Sequence, residues 1–304
     1  MQVLAVGKLF TRFRSPLSSL LLRQESRARI SVEIANNFTN KNQPEYGYIE
    51  KCPNPEFDTG CTYCTPEYPA RSPIKSNAVL FGTAPAIGKH LLICTGTSEW
   101  PKRTESDGSS FEALVKQLQS SGLKRDADFN FMLTSTDMPS QTANEKDAWS
   151  IYMYPDNLYF PKVQASQVPE FMKRYLIPSM SGFVSEFEKK IEAIPTKQPI
   201  IAICAHTARD IRCGIAGPML KNEFEQVLKA KNLSYDEVTC EGIRVTLTAH
   251  VSGHAYAGNV IYFDGEGSSI WYGLVQPKHV QGIVKETIEG RRIIRELHRG
   301  GGWI

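Results

Sequence analysis

The sequence predicts an α/β protein built from two tandem units, in each of which a mixed sheet is flanked by helices. Strand-like and helix-like stretches follow the same order in both halves of the chain, β-α-β-β-β-α. Apolar segments of the two halves also match at a spacing of about 110 residues, as Leu91–Thr95 and Ile201–Ala205 do. A hydrophobic fraction of 41% and a charged fraction of 22% are typical of a globular protein and exclude a wholly disordered chain.

The first unit is predicted from strand length, apolar spacing and turn residues. Its helix shows apolar residues three and four positions apart and ends near Gly122. The hairpin is indicated by two strand-like runs on either side of Pro155-Asp156. The predicted elements are a strand at 91–94, a helix at 111–123, strands at 129–134, 149–154 and 157–163, and a helix at 168–175.

The second unit repeats this order. Its first helix is predicted to begin at Pro218, because proline is tolerated in the first turn of a helix. The predicted elements are strands at 199–204, 243–248, 259–263 and 269–275, and helices at 218–230, 280–288 and 292–298. A strand-helix-strand followed by a hairpin and a closing helix is the thioredoxin-like arrangement. We therefore expect a degenerate N-terminal thioredoxin-like domain at 86–190 and a C-terminal one at 195–304.

The first 40 residues differ in composition from the rest. They contain six basic and two acidic side chains, with serines and leucines spread between the arginines. This composition predicts a mitochondrial transit peptide; a basic tail or a surface helix is the alternative. Charges nearly balance in the remaining residues, so no nucleic-acid-binding surface is predicted. No apolar run reaches the roughly 18 residues that a membrane helix needs.

Residues 41–85 are rich in proline and are predicted to be an irregular connector. Its three cysteines are Cys52, Cys61 and Cys64. The C-x2-C pair could hold zinc with His90 or Cys94 as a further ligand, act as a redox dithiol, or remain as unpaired thiols. Cys240 is interpreted as a bystander.

Two cysteines and two histidines of the second unit are predicted to converge. Cys204 ends a strand, Cys213 precedes a predicted helix, and His250 and His254 follow the next strand. All four therefore lie in loops at one end of one sheet. Thiolates and imidazoles in such an arrangement suit zinc or an iron–sulfur centre. Each residue taken alone would more often be a buried cysteine or a hydrogen-bonded histidine.

Four segments carry a family resemblance: CAHTARDIRCGIAGP at 204–218, HVSGHAYAGNV at 250–260, SIWYGLVQP at 269–277 and RELHRGGG at 295–302. They resemble the sucrase/ferredoxin-like family of thioredoxin-like [2Fe–2S] proteins over residues 85–302. The resemblance implies a [2Fe–2S] cluster held by Cys204, Cys213, His250 and His254. It implies one-electron transfer or redox homeostasis in a mitochondrial compartment, with an unidentified redox partner protein and the mitochondrial import machinery as partners.

Imidazole ligation has a consequence for the expected potential. Neutral imidazoles in place of two thiolates raise it, from about −400 mV towards the range of about −150 to +300 mV. Loss of imidazole protons would couple electron transfer to proton transfer. His206 is a rival ligand or a supporting donor, and Gly214 and Gly253 are expected to permit close backbone approach and a tight loop.

Two alternative functions remain at this point. A structural zinc module would use the same four ligands, and a thiol–disulfide protein would use Cys61 and Cys64. The first unit has Thr136 and Ser140 where the second has its histidines, so it is expected to bind no cluster. No substrate pocket or pair of sugar-cleaving carboxylates is indicated, so an electron-transfer protein is favoured over an enzyme.

Overall fold

A ten-stranded mixed sheet runs through the computed structural model of this protein. The structure describes residues 46–103, 110–120, 130–145, 147–177 and 191–301. The predicted leader at 1–40 and the predicted end of the first unit at 178–190 lie outside them. Within the described residues the strands are β1 (Gly47–Ile49), β2 (Lys89–Cys94), β3 (Phe131–Thr136), β4 (Ala148–Tyr154), β5 (Leu158–Gln164), β6 (Ile194–Pro195), β7 (Ile200–Cys204), β8 (Arg244–Thr248), β9 (Val260–Phe263), β10 (Ser269–Tyr272), β11 (Arg292–Ile294) and β12 (His298–Gly300).

The two halves of the sheet have the same strand order. The order across the sheet is β12-β10-β9-β7-β8-β3-β2-β4-β5-β6. In each half a parallel pair, β2 with β3 or β7 with β8, is followed by two antiparallel strands. The halves join where β3 and β8 run antiparallel and Thr136 pairs with Thr248. The predicted fold class, two α/β units with mixed sheets flanked by helices, is confirmed.

Helices connect and cover these strands. They are α1 (Ser110–Ser120), α2 (Val168–Phe171, continued by a π-helical turn over Met172–Leu176), α3 (Ile211–Ala230) and α4 (Val280–Gly282, continued by a π-helical stretch over Ile283–Glu289). Side chains of β7 alternate between two cores, as the pleat of a strand requires. Ile201 and Ile203 pack with α3, whereas Ile200 and Ala202 lie in a cluster shared by both halves.

The shared cluster joins the two units through aromatic contacts. His90 of β2 stacks on Trp271 of β10, with ring centroids 5.9 Å apart. Tyr154 of β4 stacks on Phe263 of β9 at 4.3 Å. Cys204 and Cys213 are members of the same cluster, so two predicted ligands border a core that both units build.

The first helix of the second unit begins seven residues earlier than predicted. Asp210 caps α3 by accepting a hydrogen bond from the backbone N–H of Arg212. Pro218 consequently lies inside the helix, and the prediction that it occupies the first turn is wrong. The aspartate side chain accepts a hydrogen bond from a backbone N–H group that has no partner within the helix. This cap fixes the start of α3, and Pro218 does not. Cys213 therefore lies in the first turn of α3 rather than before the helix.

The predicted helix at 292–298 is also wrong. The structure has β11, a 3-10 turn and β12 there. β11 pairs in parallel with β1, and β12 pairs antiparallel with β10. The apolar residues of this short segment fit both the helical and the strand repeat. Pairing with strands that are distant in sequence decides its conformation.

Residues 46–88, here named the strap, are irregular apart from β1, but they lie against the second unit instead of merely linking two domains. The backbone N–H of Cys52 donates to Glu296, and that of Glu56 donates to Gln281. The hydroxyls of Thr59 and Thr62 donate to Glu223, which is fully buried in α3. In the described part of the chain, no helix combines the length and the hydropathy needed to cross a membrane.

The substitution Thr62→Val is expected to lower the free energy of unfolding by about 1–3 kcal/mol, because a buried carboxylate oxygen of Glu223 loses its hydrogen-bond donor. Urea unfolding followed by tryptophan fluorescence measures the change. Thr65→Val, at an exposed position of the same loop, is the control and should leave stability unchanged. Equal stability of the two variants would show that the strap is not held at Glu223.

Candidate metal centre

Three of the four predicted ligands come together at the end of β7. The sulfurs of Cys204 and Cys213 and an imidazole nitrogen of His250 all lie within 4.8 Å of one another. Cys204 is the last residue of β7, Cys213 lies in the first turn of α3, and His250 follows β8 by two residues. Both thiols are buried. The structure thus brings soft donor atoms from three elements to one point.

The two thiols form a coupled pair. A hydrogen bond with Cys213 holds the pKa of Cys204 well below its usual range, and the same contact raises the pKa of Cys213. A second negative charge in a buried site is costly, so loss of a proton from one of these thiols opposes its loss from the other.

His254 lies beside this group on the solvent side. Its ring centroid is 5.5 Å from that of His250, and its Nε2 atom is 3.9 Å from Oδ2 of Asp210, the cap of α3. The side chain of His254 is 45% exposed. Gly253, with φ of 77°, turns the chain between the two histidines in the left-handed region, where glycine carries no steric penalty.

Unsatisfied buried atoms indicate that this pair of histidines fits a metal centre. The Nδ1 atoms of His250 and His254 are buried and have no hydrogen-bond partner in the described part of the chain. Buried polar atoms are ordinarily paired, so unpaired nitrogens on two neighbouring histidines call for another partner. Two thiols and two imidazoles are the donor set that soft and borderline metals prefer.

His206 supports His250 and is not a fourth donor. Its Nε2 atom lies 3.1 Å from the carbonyl oxygen of Trp100 and 2.9 Å from that of Pro101. Its Nδ1 atom accepts a hydrogen bond from the backbone N–H of His250 at 3.3 Å. Both ring nitrogens are therefore engaged, with Nε2 donating. Burial lowers the pKa of His206, which favours this neutral form.

Two glycines let α3 approach the end of β7. A Cβ atom on Gly214 would lie 2.3 Å from Oγ1 of Thr207, and one on Gly217 would lie 2.5 Å from Cβ of Ala205. The expected close approach at Gly214 is therefore to the loop after Cys204. This close approach of α3 to the residues after β7 brings Cys213 near Cys204.

The strap cysteines do not form a zinc site with the proposed partners. Cys61 and Cys64 are joined by a disulfide. Cys52 packs against Gly282 instead, its thiol donates to the carbonyl oxygen of His279 at 3.4 Å, and burial raises its pKa to about 12. Among the described residues, the group of Cys204, Cys213 and His250 is the one set of three such side chains whose ligand atoms lie within 4.8 Å of one another. Cys240 is exposed and lies outside that group.

The two suggested further ligands serve the core. His90 is fully buried, its Nε2 atom lies 2.8 Å from Oγ1 of Thr134, and burial lowers its pKa to about 3. Cys94 is buried in the shared cluster, where burial raises its pKa to about 12. Among the described residues, neither His90 nor Cys94 is grouped with the C-x2-C cysteines, because both are buried in the interior of the sheet.

The first unit places non-ligating side chains at the counterpart positions. The hydroxyl of Thr136 donates to the carbonyl oxygen of Ile93, and that of Ser140 lies 3.2 Å from the Ser150 hydroxyl. No group of metal-ligand side chains is found in the described residues of this unit.

Sequence reasoning missed the residues that enclose the centre from behind. Arg299 of β12 is completely buried against the loop that carries the two histidines. Burial, and to a smaller extent the neighbouring Cys213, raises the pKa of Tyr68 in the strap to about 12. Arg299 belongs to the RELHRGGG segment that carries the family resemblance. The predicted helix at 292–298 gave no reason to expect the following residue next to the histidines.

Fold and site together define a class of protein: a duplicated mixed α/β chain with a cysteine–histidine centre at the sheet end of its second unit. The chain belongs to the sucrase/ferredoxin-like family, whose family model matches residues 80–300. The resemblance inferred from the four sequence segments is confirmed.

Curated relatives extend over most of the chain. Altered inheritance of mitochondria protein 32 of Meyerozyma guilliermondii is 35% identical over 83% of this chain and 95% of its own length. The protein of the same name from Clavispora lusitaniae is 35% identical over 85% of this chain and 97% of its own. Actin patches distal protein 1 of Saccharomyces cerevisiae is 36% identical over 37% of this chain and 38% of its own.

One similar solved structure is a thioredoxin-like [2Fe–2S] ferredoxin from Aquifex aeolicus. It shares 19% identity, with a TM-score of 0.27, over 34% of this chain and 93% of its own.

Gly217→Ala is expected to lower the free energy of unfolding by about 1–3 kcal/mol, since the new methyl group would overlap the backbone beside Cys204. Gly47→Ala is the matched control, because a Cβ there would make an ordinary contact 3.6 Å from Arg292. Chemical unfolding of both variants measures the difference. A Gly217→Ala protein as stable as the control would contradict the close approach of α3.

Proposed function

We propose that this protein is a one-electron carrier that holds a [2Fe–2S] cluster through Cys204, Cys213, His250 and His254. The observation that carries the proposal is the convergence of two thiols and one imidazole within 4.8 Å. The unpaired buried Nδ1 atoms of both histidines support it. When bound, such a cluster accepts and releases single electrons.

The residues around the centre have distinct tasks in this proposal. The two cysteines are buried in the shared core and would supply the negative charge. The two histidines lie nearer solvent, so His254 is the side chain through which a redox partner protein would make electronic contact. Asp210 faces Nε2 of His254 and would orient its ring, as carboxylates commonly do for metal-bound histidines.

Imidazole ligands are expected to give the centre a higher potential than four thiolates would, since they bring no negative charge. Coupling of electron transfer to proton transfer remains a prediction of this ligand set. It would appear as a reduction potential that changes with pH.

A mitochondrial location is part of the proposal. The arginine-rich first 40 residues and the printed names of the relatives, which refer to mitochondrial inheritance, support it. Import would require the mitochondrial import machinery as a transient partner. Imaging of the tagged chain with and without residues 1–40 tests the location, and unchanged mitochondrial staining of the shortened chain would contradict the leader.

A second candidate function is thiol–disulfide exchange at Cys61 and Cys64, favoured by the disulfide between them. The pair does not follow a strand and open a helix, as a thioredoxin-like active site does. Loss of disulfide reductase activity in Cys61→Ser, with unchanged iron content, would support it.

Anaerobically purified protein is expected to contain about two iron and two acid-labile sulfide atoms per chain. Cys213→Ser should lose most of both, because one thiolate ligand is gone. His254→Ala should change or abolish the EPR signal of the reduced protein. Cys240→Ser is the control, because Cys240 is exposed and lies outside the centre, and this variant should keep its full iron and sulfide content. One zinc per chain without sulfide would refute the proposal and support the zinc module.

A further inference from the structure

Arg299 is a completely buried cation directly behind the histidine loop, defined as residues 250–256. Its guanidinium donates to the carbonyl oxygens of Ser252 and Thr83, at 3.3 and 2.7 Å. It also donates to Oδ1 of Asn259 at 2.7 Å and to the Thr83 hydroxyl at 3.0 Å. One side chain therefore ties the histidine loop, the strap and the start of β9 together.

This cation has no carboxylate partner in the described part of the chain. Burial lowers the pKa of Arg299, and the groups that act in the opposite direction are Tyr256, Cys204 and Cys213. Buried charges are normally paired, because removing a charge from water is costly. The guanidinium carbon lies 5.3 Å from the ring centroid of Tyr256, and Tyr256 and the two cysteines of the candidate centre are the groups whose negative charge would favour this cation.

The Arg299 side chain lies against Gly253 of the histidine loop and against Gly273, and neither position has room for a Cβ atom. A Cβ atom on Gly253 would lie 2.5 Å from Nη2 of Arg299, and one on Gly273 would lie 2.6 Å from its Cδ. Ser252 adopts a positive φ of 82°, an unfavourable conformation that its carbonyl contact with Arg299 stabilises. Asn259 completes the arrangement, because its Nδ2 atom donates to the carbonyl oxygen of Gly253 at 3.0 Å.

We propose that Arg299 is a positioning residue that holds the loop of His250 and His254 in place and raises the reduction potential of the centre by its unpaired positive charge. This inference rests on the proposed function. A fixed positive charge favours the reduced state, which carries one more negative charge than the oxidised state. A lysine cannot replace the arrangement, because a single ammonium group cannot reach acceptors in three segments as a planar guanidinium does.

Three variants of the full chain separate charge from positioning. Arg299→Gln removes the positive charge. Arg299→Lys keeps the charge but loses the planar guanidinium that donates to several acceptors at once. Asn259→Asp leaves Arg299 in place and supplies the missing carboxylate at hydrogen-bond distance. Arg295→Gln is the matched control, since this exposed arginine lies four residues away and pairs with Glu50.

The first readout is the reduction potential, measured by redox titration with EPR detection. Arg299→Gln and Asn259→Asp are expected to have lower potentials than wild type, and Arg299→Lys is expected to stay closer to wild type. Arg295→Gln should leave the potential unchanged. Wild-type potentials in both Arg299→Gln and Asn259→Asp would overturn the electrostatic part of the proposal.

The second readout needs no cluster. Hydrogen exchange of the metal-free protein should become about tenfold faster in the histidine loop and in the strap around Thr83 for Arg299→Gln and Arg299→Lys, because charged hydrogen bonds are lost. Unchanged exchange in both would overturn the positioning part. If wild type contains no iron and sulfide, the proposed function fails, whereas hydrogen exchange still decides the role of Arg299 in holding the loop.

Discussion

The candidate centre depends on the close contact between the start of α3 and the end of β7. Gly214 and Gly217 have no side chain at that contact, and a methyl group at either position would overlap the residues after Cys204. Only this approach places the sulfur of Cys213 beside that of Cys204. The same helix start positions Asp210, which caps α3 and faces His254. Helix packing, capping and ligand placement are therefore one arrangement, so a change in one of them disturbs the others.

The duplicated fold separates scaffold from function. Both units have a parallel pair of strands followed by two antiparallel strands, and they join into one sheet. The residues at and after the strand ends differ: the second unit presents cysteines and histidines, whereas the first presents Thr136 and Ser140, whose hydroxyls form hydrogen bonds within that unit. A common scaffold thus carries a candidate metal centre in the second copy alone among the described residues, because the chemistry resides in the loops.

Two segments at opposite ends of the described chain complete the second unit. The strap contributes β1, which pairs with β11, and its threonines contact Glu223 of α3. The C-terminal strand β12 contributes Arg299, which contacts both the strap and the histidine loop. Neither segment belongs to the repeated pattern. Their contacts with α3 and with the loop enclose the region around the cysteines, so the repeat alone would leave that region more open to solvent.

Sequence by itself predicted the fold class, most strands and the convergence of Cys204, Cys213 and His250, because alternating apolar patterns and clustered cysteine and histidine loops are local signals. The proline at 218 predicts a start of α3 seven residues too late, because the aspartate at 210 caps the helix. Sequence also assigned a helix to 292–298, whose conformation depends on strand partners far away in the chain. Only the tertiary structure decided that His206 supports His250, that Cys52 lies apart from the Cys61–Cys64 disulfide, and that a buried arginine holds the histidine loop. These are contacts between residues distant in sequence, and no local pattern encodes them.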